Sequence, residues 1–289
     1  MVSLQANSYA KLNLHLDVGA KRADNFHPIS SLFQRIDLFD TISISLTKSS
    51  VTRIRCIAPQ EVPVENTMNA AALLFLANSG YRCEIIINCT KQIPPLSGLG
   101  GGSSNAATVL LLLNKAFNQI FSLSELMDLG SQIGSDVPFF IGGSALAYVS
   151  GRGEVVEMLP SRAEIGGLLV IPQKVRVSTA AAYTLLDEQL IRDTSLHSKE
   201  ELAAIYQKPT AQWSFSNDFL AVSDPIHTKL MKLKGESFAN LSGSGSAFYY
   251  LSESEGVLKE IRAQVVALGE QLTLYPIKCL HPSHLGATV

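Results

Sequence analysis

The sequence predicts a mixed fold of α-helices and β-strands, and three observations carry that prediction. Near the N-terminus Leu12, Leu14 and Leu16 alternate with Lys11, Asn13, His15 and Asp17, the pattern of a half-buried strand with one polar face. Residues 66–78 have helical spacing and are closed by Gly80. The order of elements along the chain mixes the two types without regular strand–helix–strand alternation.

Taken in order, residues 18–28 read as loop. LFQRIDLFDTISISL is strand material with a turn expected near Asp40, and VTRIRCI is a further strand. CEIIINCT, at 83–90, is a short β-rich run. After a glycine-rich loop, SSNAATVLLLLNKAFNQ opens a helix with its serines expected at the cap. SLSELMDLGSQIG is another helix, with Ser122 and Glu125 spaced as a capping box and Pro138 just beyond it. SALAYVSGRGEVVEML reads as a hairpin about Gly151 and Gly153. The polar stretch at 160–166 marks a lobe boundary. Beyond it come an LLVIP strand, an STAAAYTLLDEQL helix, a polar segment, a helix around DPIHTKLMKL, the run NLSGSGSAFYYL, and a closing helix and strand.

Composition narrows the function. At 46% hydrophobic and 17% charged the chain can bury a sizeable core, which excludes a disordered profile. A net charge of −2 supplies no bulk basic field, so nucleic acid is not an expected partner. No charged segment followed by an apolar core opens the chain, and the apolar run VLLLLN is far short of the roughly 20 residues that span a bilayer. A cytoplasmic protein with no membrane partner is expected. Cys56, Cys83, Cys89 and Cys279 show no CxxC spacing, and Cys83 and Cys89 share strand parity with Ile85 and Ile87, so they read as small core residues.

The stretch PPLSGLGGGSSNAA, residues 94–107, is where chemistry concentrates. No GK[ST] follows its glycines, which excludes the lysine-bearing phosphate loop. A dinucleotide fingerprint fails because seven residues of loop, two of them proline, separate the strand from the first glycine, and because the helix after the loop is followed by another helix where a second strand is needed. A glycine–serine loop feeding a helix N-terminus remains, with amides and the helix dipole turned toward a phosphate. A tight turn without a ligand is the plainer alternative. Lys11, beside Asn13 on the polar face of the first strand, is the candidate for the positive charge that the loop lacks. Asp136, set before Val137, Pro138, Phe139 and Phe140, is tolerable there only if paired, and a lysine suits it.

Three stretches, in order, resemble the motifs of the GHMP kinase superfamily of galacto-, homoserine-, mevalonate- and phosphomevalonate kinases: YAKLNLHLDVGAKRADNFH, the glycine loop, and NLSGSGSAF. GSDVPFF, GRGEVVE, VSTAAAY and FSND bring the chain nearest to the branch that phosphorylates a methylerythritol alcohol carrying a cytidine diphosphate, in non-mevalonate isoprenoid synthesis. The resemblance implies a two-lobed α+β fold, with an ATP-binding lobe at 1–160, a C-terminal α/β lobe at 161–289 and the acceptor pocket between them. It implies ATP with Mg2+ as cofactors. It assigns the nucleotide site to Pro94, Leu96, Ser97, Gly98, Leu99, Gly100, Gly101, Gly102, Ser103 and Ser104, joined by Asn66 and Lys91. Lys11 then lies close to the acceptor hydroxyl and Asp136 accepts its proton. No dedicated carboxylate cluster exists for the metal; Ser103 or Ser104 could lend a hydroxyl.

A cytidine needs a flat face and a partner for its Watson–Crick edge, which Phe26 and His27 could supply, with Tyr183 as a second face, Thr179 nearby, and Gly243 and Ser244 closing the pocket beside Asn13. The family commonly has Gly-Tyr-His where this chain has Asn25, Phe26 and His27. A left-handed backbone there requires that asparagine accept it. The competing readings are a homoserine- or mevalonate-type kinase, which has no use for the Phe26–His27 pair, and a non-catalytic ligand sensor, which would be free to lose Lys11 or Asp136.

Overall fold

The computed structural model describes residues 2–58, 66–175, 178–189 and 195–284. Its first half is a six-stranded sheet of β1 (Val2–Val18), β2 (Ile29–Lys48), β3 (Arg53–Ile57), β4 (Cys83–Thr90), β5 (Leu146–Ser150) and β6 (Val155–Leu159). The long β2 pairs with β1 along one edge, while its other edge is divided between β4 and β5. The second sheet has the order β10 (Leu272–Lys278), β7 (Gly166–Pro172), β9 (Phe248–Ser252), β8 (Phe238–Leu241).

Three apolar clusters arrange these sheets into layers. One lies between the first sheet and the helices α1 (Thr67–Ser79), α2 (Gly101–Ala116), α3 (Leu123–Ile133) and α4 (Val137–Ile141). The second lies between the two sheets, where Leu12, Leu14 and Leu32 meet Leu169, Tyr249 and Leu251. The third seals the outer face of the second sheet beneath α7 (Pro225–Met231) and α8 (Glu255–Ala267). Among the described residues no helix is long and apolar enough to cross a membrane.

Local signals explain many of the element boundaries. Asn66 caps α1 and Gly80 ends it at φ 70°; Ser122 and Glu125 form the expected capping box on α3. Cys83 and Cys89 are buried with Ile85 and Ile87. Four expectations fail. β2 runs through Asp40 without a turn, because that carboxylate, 0% exposed, is satisfied by the Lys91 ammonium and the amides of Gln92 and Ile93. The cap of α2 is Gly100 at φ 71°, and Ser103 and Ser104 lie inside its first turns. The polar stretch after α5 (Thr179–Gln189) contains α6 (Lys199–Tyr206), signalled by its own capping box of Ser198 and Glu201. Leu190, expected to extend α5, lies outside the described residues, as does Val177 of the VSTAAAY run.

The fourth correction concerns β1. Its register against β2 passes from Asn13↔Phe33 to His15↔Leu32, leaving Leu14 as an extra residue. A bulge reverses side-chain parity beyond it. Lys11 and Asn13 therefore face the helical side, where Leu16 and Val18 also pack, whereas His15 and Asp17 turn to the opposite side. The strand is buried on both faces: Lys11, Asn13 and His15 are at most 4% exposed. Backbone groups at the bulge find partners in the second half of the chain, with Tyr249 Oη donating to Asn13 O, Asn240 Nδ2 to Leu14 O, and Leu16 N to Ser216 O.

Candidate active site

A cleft of about 1080 Å3 is lined by β1, the glycine loop, the start of α4, the 25–27 turn, α5 and the turn after β8. Its floor holds Lys11. The Lys11 ammonium donates to Asn13 Oδ1, lies 4.3 Å from the Phe33 ring centroid and stands 3.4 Å from Asp136 Oδ2. Burial lowers the Lys11 pKa from its ordinary 10.5, and the Asp136 charge opposes that fall. Asp136 occupies the N-terminal position of α4, yet its side chain makes no capping bond; it faces the lysine instead. Asn13 is held in turn, since its Nδ2 donates to Ser31 Oγ at 3.0 Å and its amide lies 3.4 Å from Ser242 Oγ.

The glycine loop is fastened to both halves of the chain. Lys11 N donates to Leu99 O, Ala247 N to Ser97 O, and Ser242 Oγ to Gly98 O, each at 3.0 Å. At Gly98, φ 78°, an added Cβ would come within 2.0 Å of Ser242 O. At Gly100 it would meet the Phe140 ring at 3.0 Å and Lys11 Cγ at 3.1 Å. Only glycine permits these approaches. Amides at the start of α2 are thus presented to the cleft with the helix dipole behind them.

The expected nucleotide residues divide. Lys91, Pro94, Leu96, Ser97, Gly98, Leu99, Gly100, Gly101, Gly102 and Ser103 line the cleft. Ser104 does not: it is 2% exposed and accepts from Ser8 Oγ beneath the helix. Asn66 caps α1 through Asn69 N, and its neighbour Thr67 reaches the cleft, donating to Gly102 O.

On the acceptor side, Asn13, Phe26, His27, Thr179, Tyr183, Gly243 and Ser244 all line the same cleft. Asn25 adopts φ 67°, so asparagine does accept the left-handed turn. Tyr183 stacks directly on His27, with centroids 5.1 Å apart, which leaves no slot between those two rings; Phe26 is 47% exposed at the same cleft. His27 Nδ1 lies 2.9 Å from Gly19 O and Nε2 lies 3.4 Å from Asp187. Thr179 and Ser244 hydroxyls meet at 3.2 Å. Sequence reasoning missed Asp187 on α5, Arg152, whose guanidinium covers the Phe26 ring at 5.1 Å, and Lys21. Arg152 and Lys21 stand inside the GRGEVVE and AKRAD runs, which were the available signal.

His15, Asp17 and His197 form a second titratable cluster behind the bulge. Asp17 bridges His15 Nε2 at 2.9 Å and His197 Nδ1 at 2.8 Å, and accepts from His197 N. Because Ser216 N donates to His15 Nδ1, the proton of the neutral ring belongs on Nε2, toward the carboxylate. The ring then has no lone pair to give a metal there, and the cluster reads as a latch between β1 and the segment entering α6.

Residues 66–144 match the family described as GHMP kinases N terminal domain. A 4-diphosphocytidyl-2-C-methyl-D-erythritol kinase of Solibacter usitatus is 37% identical over 91% of this chain and 85% of its own length. One from Thermotoga petrophila is 36% identical over 86% and 92%. A crystal structure of 4-(cytidine 5'-diphospho)-2C-methyl-D-erythritol kinase superposes with a TM-score of 0.74 at 25% identity, over 95% of this chain and 99% of that one. The mevalonate kinase of Methanococcus jannaschii shares the fold, with a TM-score of 0.72 at 14% identity over 97% and 99%. The mixed two-sheet architecture is therefore the GHMP kinase fold, and the chain belongs to the 4-diphosphocytidyl-2-C-methyl-D-erythritol kinase family of the GHMP kinases.

Proposed function

We propose that this chain transfers the γ-phosphoryl group of ATP to the hydroxyl of 4-diphosphocytidyl-2-C-methyl-D-erythritol, a step in isoprenoid precursor synthesis, with Asp136 as base and Lys11 as its partner. The observation that carries the reading is the Lys11–Asp136 pair, 3.4 Å apart on the floor of a cleft rimmed by the glycine loop. Asp136 accepts the acceptor's hydroxyl proton, the freed oxygen attacks the γ-phosphorus, and the bond to the bridging oxygen breaks to release ADP. Lys11 keeps Asp136 ionised and stabilises negative charge on the attacking oxygen. The amides following Gly100, with Lys91 and Ser103, hold the phosphates; Phe26, His27, Tyr183 and Thr179 hold the cytidine end. The lobes divide at residues 160–161, so that loop and base belong to one and α5 to the other.

Mg2+ suits this cleft as a companion of ATP. Among the described residues lining the cleft the carboxylates are Asp136 and Asp187, paired with Lys11 and His27, so the Ser103 hydroxyl is the group that would hold the ion. When bound with ATP it neutralises phosphate charge.

Coupled ADP release tests the reading, with the cytidylyl alcohol, homoserine and mevalonate offered in parallel. ADP is expected with the cytidylyl alcohol alone, and Asp136→Asn should lower kcat by ~10²–10⁴ while ATP still binds. Turnover of homoserine or mevalonate instead would overturn the substrate assignment. An unimpaired Asp136→Asn would overturn the base.

A further inference from the structure

Arg35 stands on β2 directly opposite Lys11 of β1. It is 5% exposed, and among the described residues no carboxylate pairs with it. Its Nη2 donates to Phe139 O at 3.0 Å and Phe140 O at 2.7 Å, and its guanidinium packs 5.2 Å and 5.6 Å from the ring centroids of those residues. Among the described residues Nε has no hydrogen-bond partner. Burial draws the pKa down to about 10. A cation held so deep on carbonyls alone costs more than an apolar side chain of the same volume, which points away from simple packing.

Those carbonyls belong to the third and fourth residues of α4, and Asp136 is the N-cap residue that precedes it. Two cross-strand neighbours thus grip opposite ends of one five-residue helix, Lys11 through Asp136 and Arg35 through Phe139 and Phe140. Arg35 is itself rigid, because its amide donates to Ala145 O at 2.8 Å and its carbonyl accepts from Leu280 N at 2.9 Å. We propose that Arg35 is a positioning residue for phosphoryl transfer: it sets the height of α4 over β1 and β2, and so holds the Asp136 carboxylate at Lys11. The inference rests on the reading of Asp136 as base.

A double-mutant cycle tests it and separates the two. Arg35→Lys keeps the charge but ends short of the position from which Nη2 reaches both carbonyls and lacks the planar group packed on the two rings; Arg35→Met, apolar and unbranched, buries no unpaired charge and carries the test if the lysine variant does not fold. Either should lower kcat by ~10-fold or more, since a misplaced base costs that much, with the KM for ATP unchanged. In an Asp136→Asn background the same change should alter kcat by less than ~2-fold, because its effect passes through the carboxylate. An equal loss in both backgrounds, a loss matched by weaker ATP binding, or no loss at all would overturn the role of Arg35 while leaving the base intact. Full activity of Asp136→Asn alone would instead remove the underlying reading.

Discussion

Gly98 lies so close to Ser242 that a Cβ on the glycine would fall 2.0 Å from the serine carbonyl oxygen, although 144 residues separate the two in sequence. This contact sets the glycine loop of the first sheet's helices against the turn after β8, and closes the cleft on that side. With φ at 78°, Gly98→Ala adds backbone strain to the clash. The variant should lose about 3 kcal/mol or more of stability, read from its urea midpoint, and should bind ATP weakly even where folded. A neutral Gly98→Ala would mean that the two loops are free to part.

Lys11→Met should separate stability from activity. The variant removes a buried cation while leaving Asp136 partly in water, so kcat should fall by ~10² or more without loss of stability. The pH dependence has a definite sign. Lys11's pKa in the folded protein is below its ordinary 10.5, so between those two values the unfolded chain holds the extra proton, and stability from this group increases with pH. Urea midpoints measured up to pH 10.5 should show that increase in the parent and lack it in Lys11→Met.

Asp17 acts at the acid end. Burial by itself would raise its pKa, but the hydrogen bonds from His15 and His197 outweigh that and bring it from 3.8 to about 2. Its contribution, roughly 2 kcal/mol, is complete above pH 3.8 and is lost as pH falls through about 2. Asp17→Asn should therefore be less stable at neutral pH and show a flatter acid transition. Identical acid curves for the two proteins would remove the latch role.

Asn25 should tolerate glycine but not a branched side chain. At φ 67°, Asn25→Gly is expected to keep stability within ~0.5 kcal/mol and leave the acceptor KM unchanged, while Asn25→Val should cost about 1–2 kcal/mol. Thermal melts of the pair decide this.

The chain's local patterns carried much of the site. Four glycines and two serines before an apolar run already specified amides gathered at a helix start, because that chemistry is confined to neighbours in sequence. Asp136 before a buried apolar turn already required a partner, and the polar side of β1 offered one. Capping boxes located α3 at once, and the same signal at Ser198 and Glu201 was present for α6.

What the sequence by itself determined was therefore the composition of the loop, a carboxylate that needs a cationic partner, and the mixture of elements. Tertiary structure alone decided which serine faces the cleft, since Ser104 turns under α2 to meet Ser8. It also decided that His15 and Asp17 leave the face of Lys11 and Asn13, because one extra residue against β2 reverses parity and nothing in the alternation of β1 reveals its partner's register. Arg35 is the fullest case. Only the packing of α4 over the β1–β2 pair gives its guanidinium two carbonyls to hold.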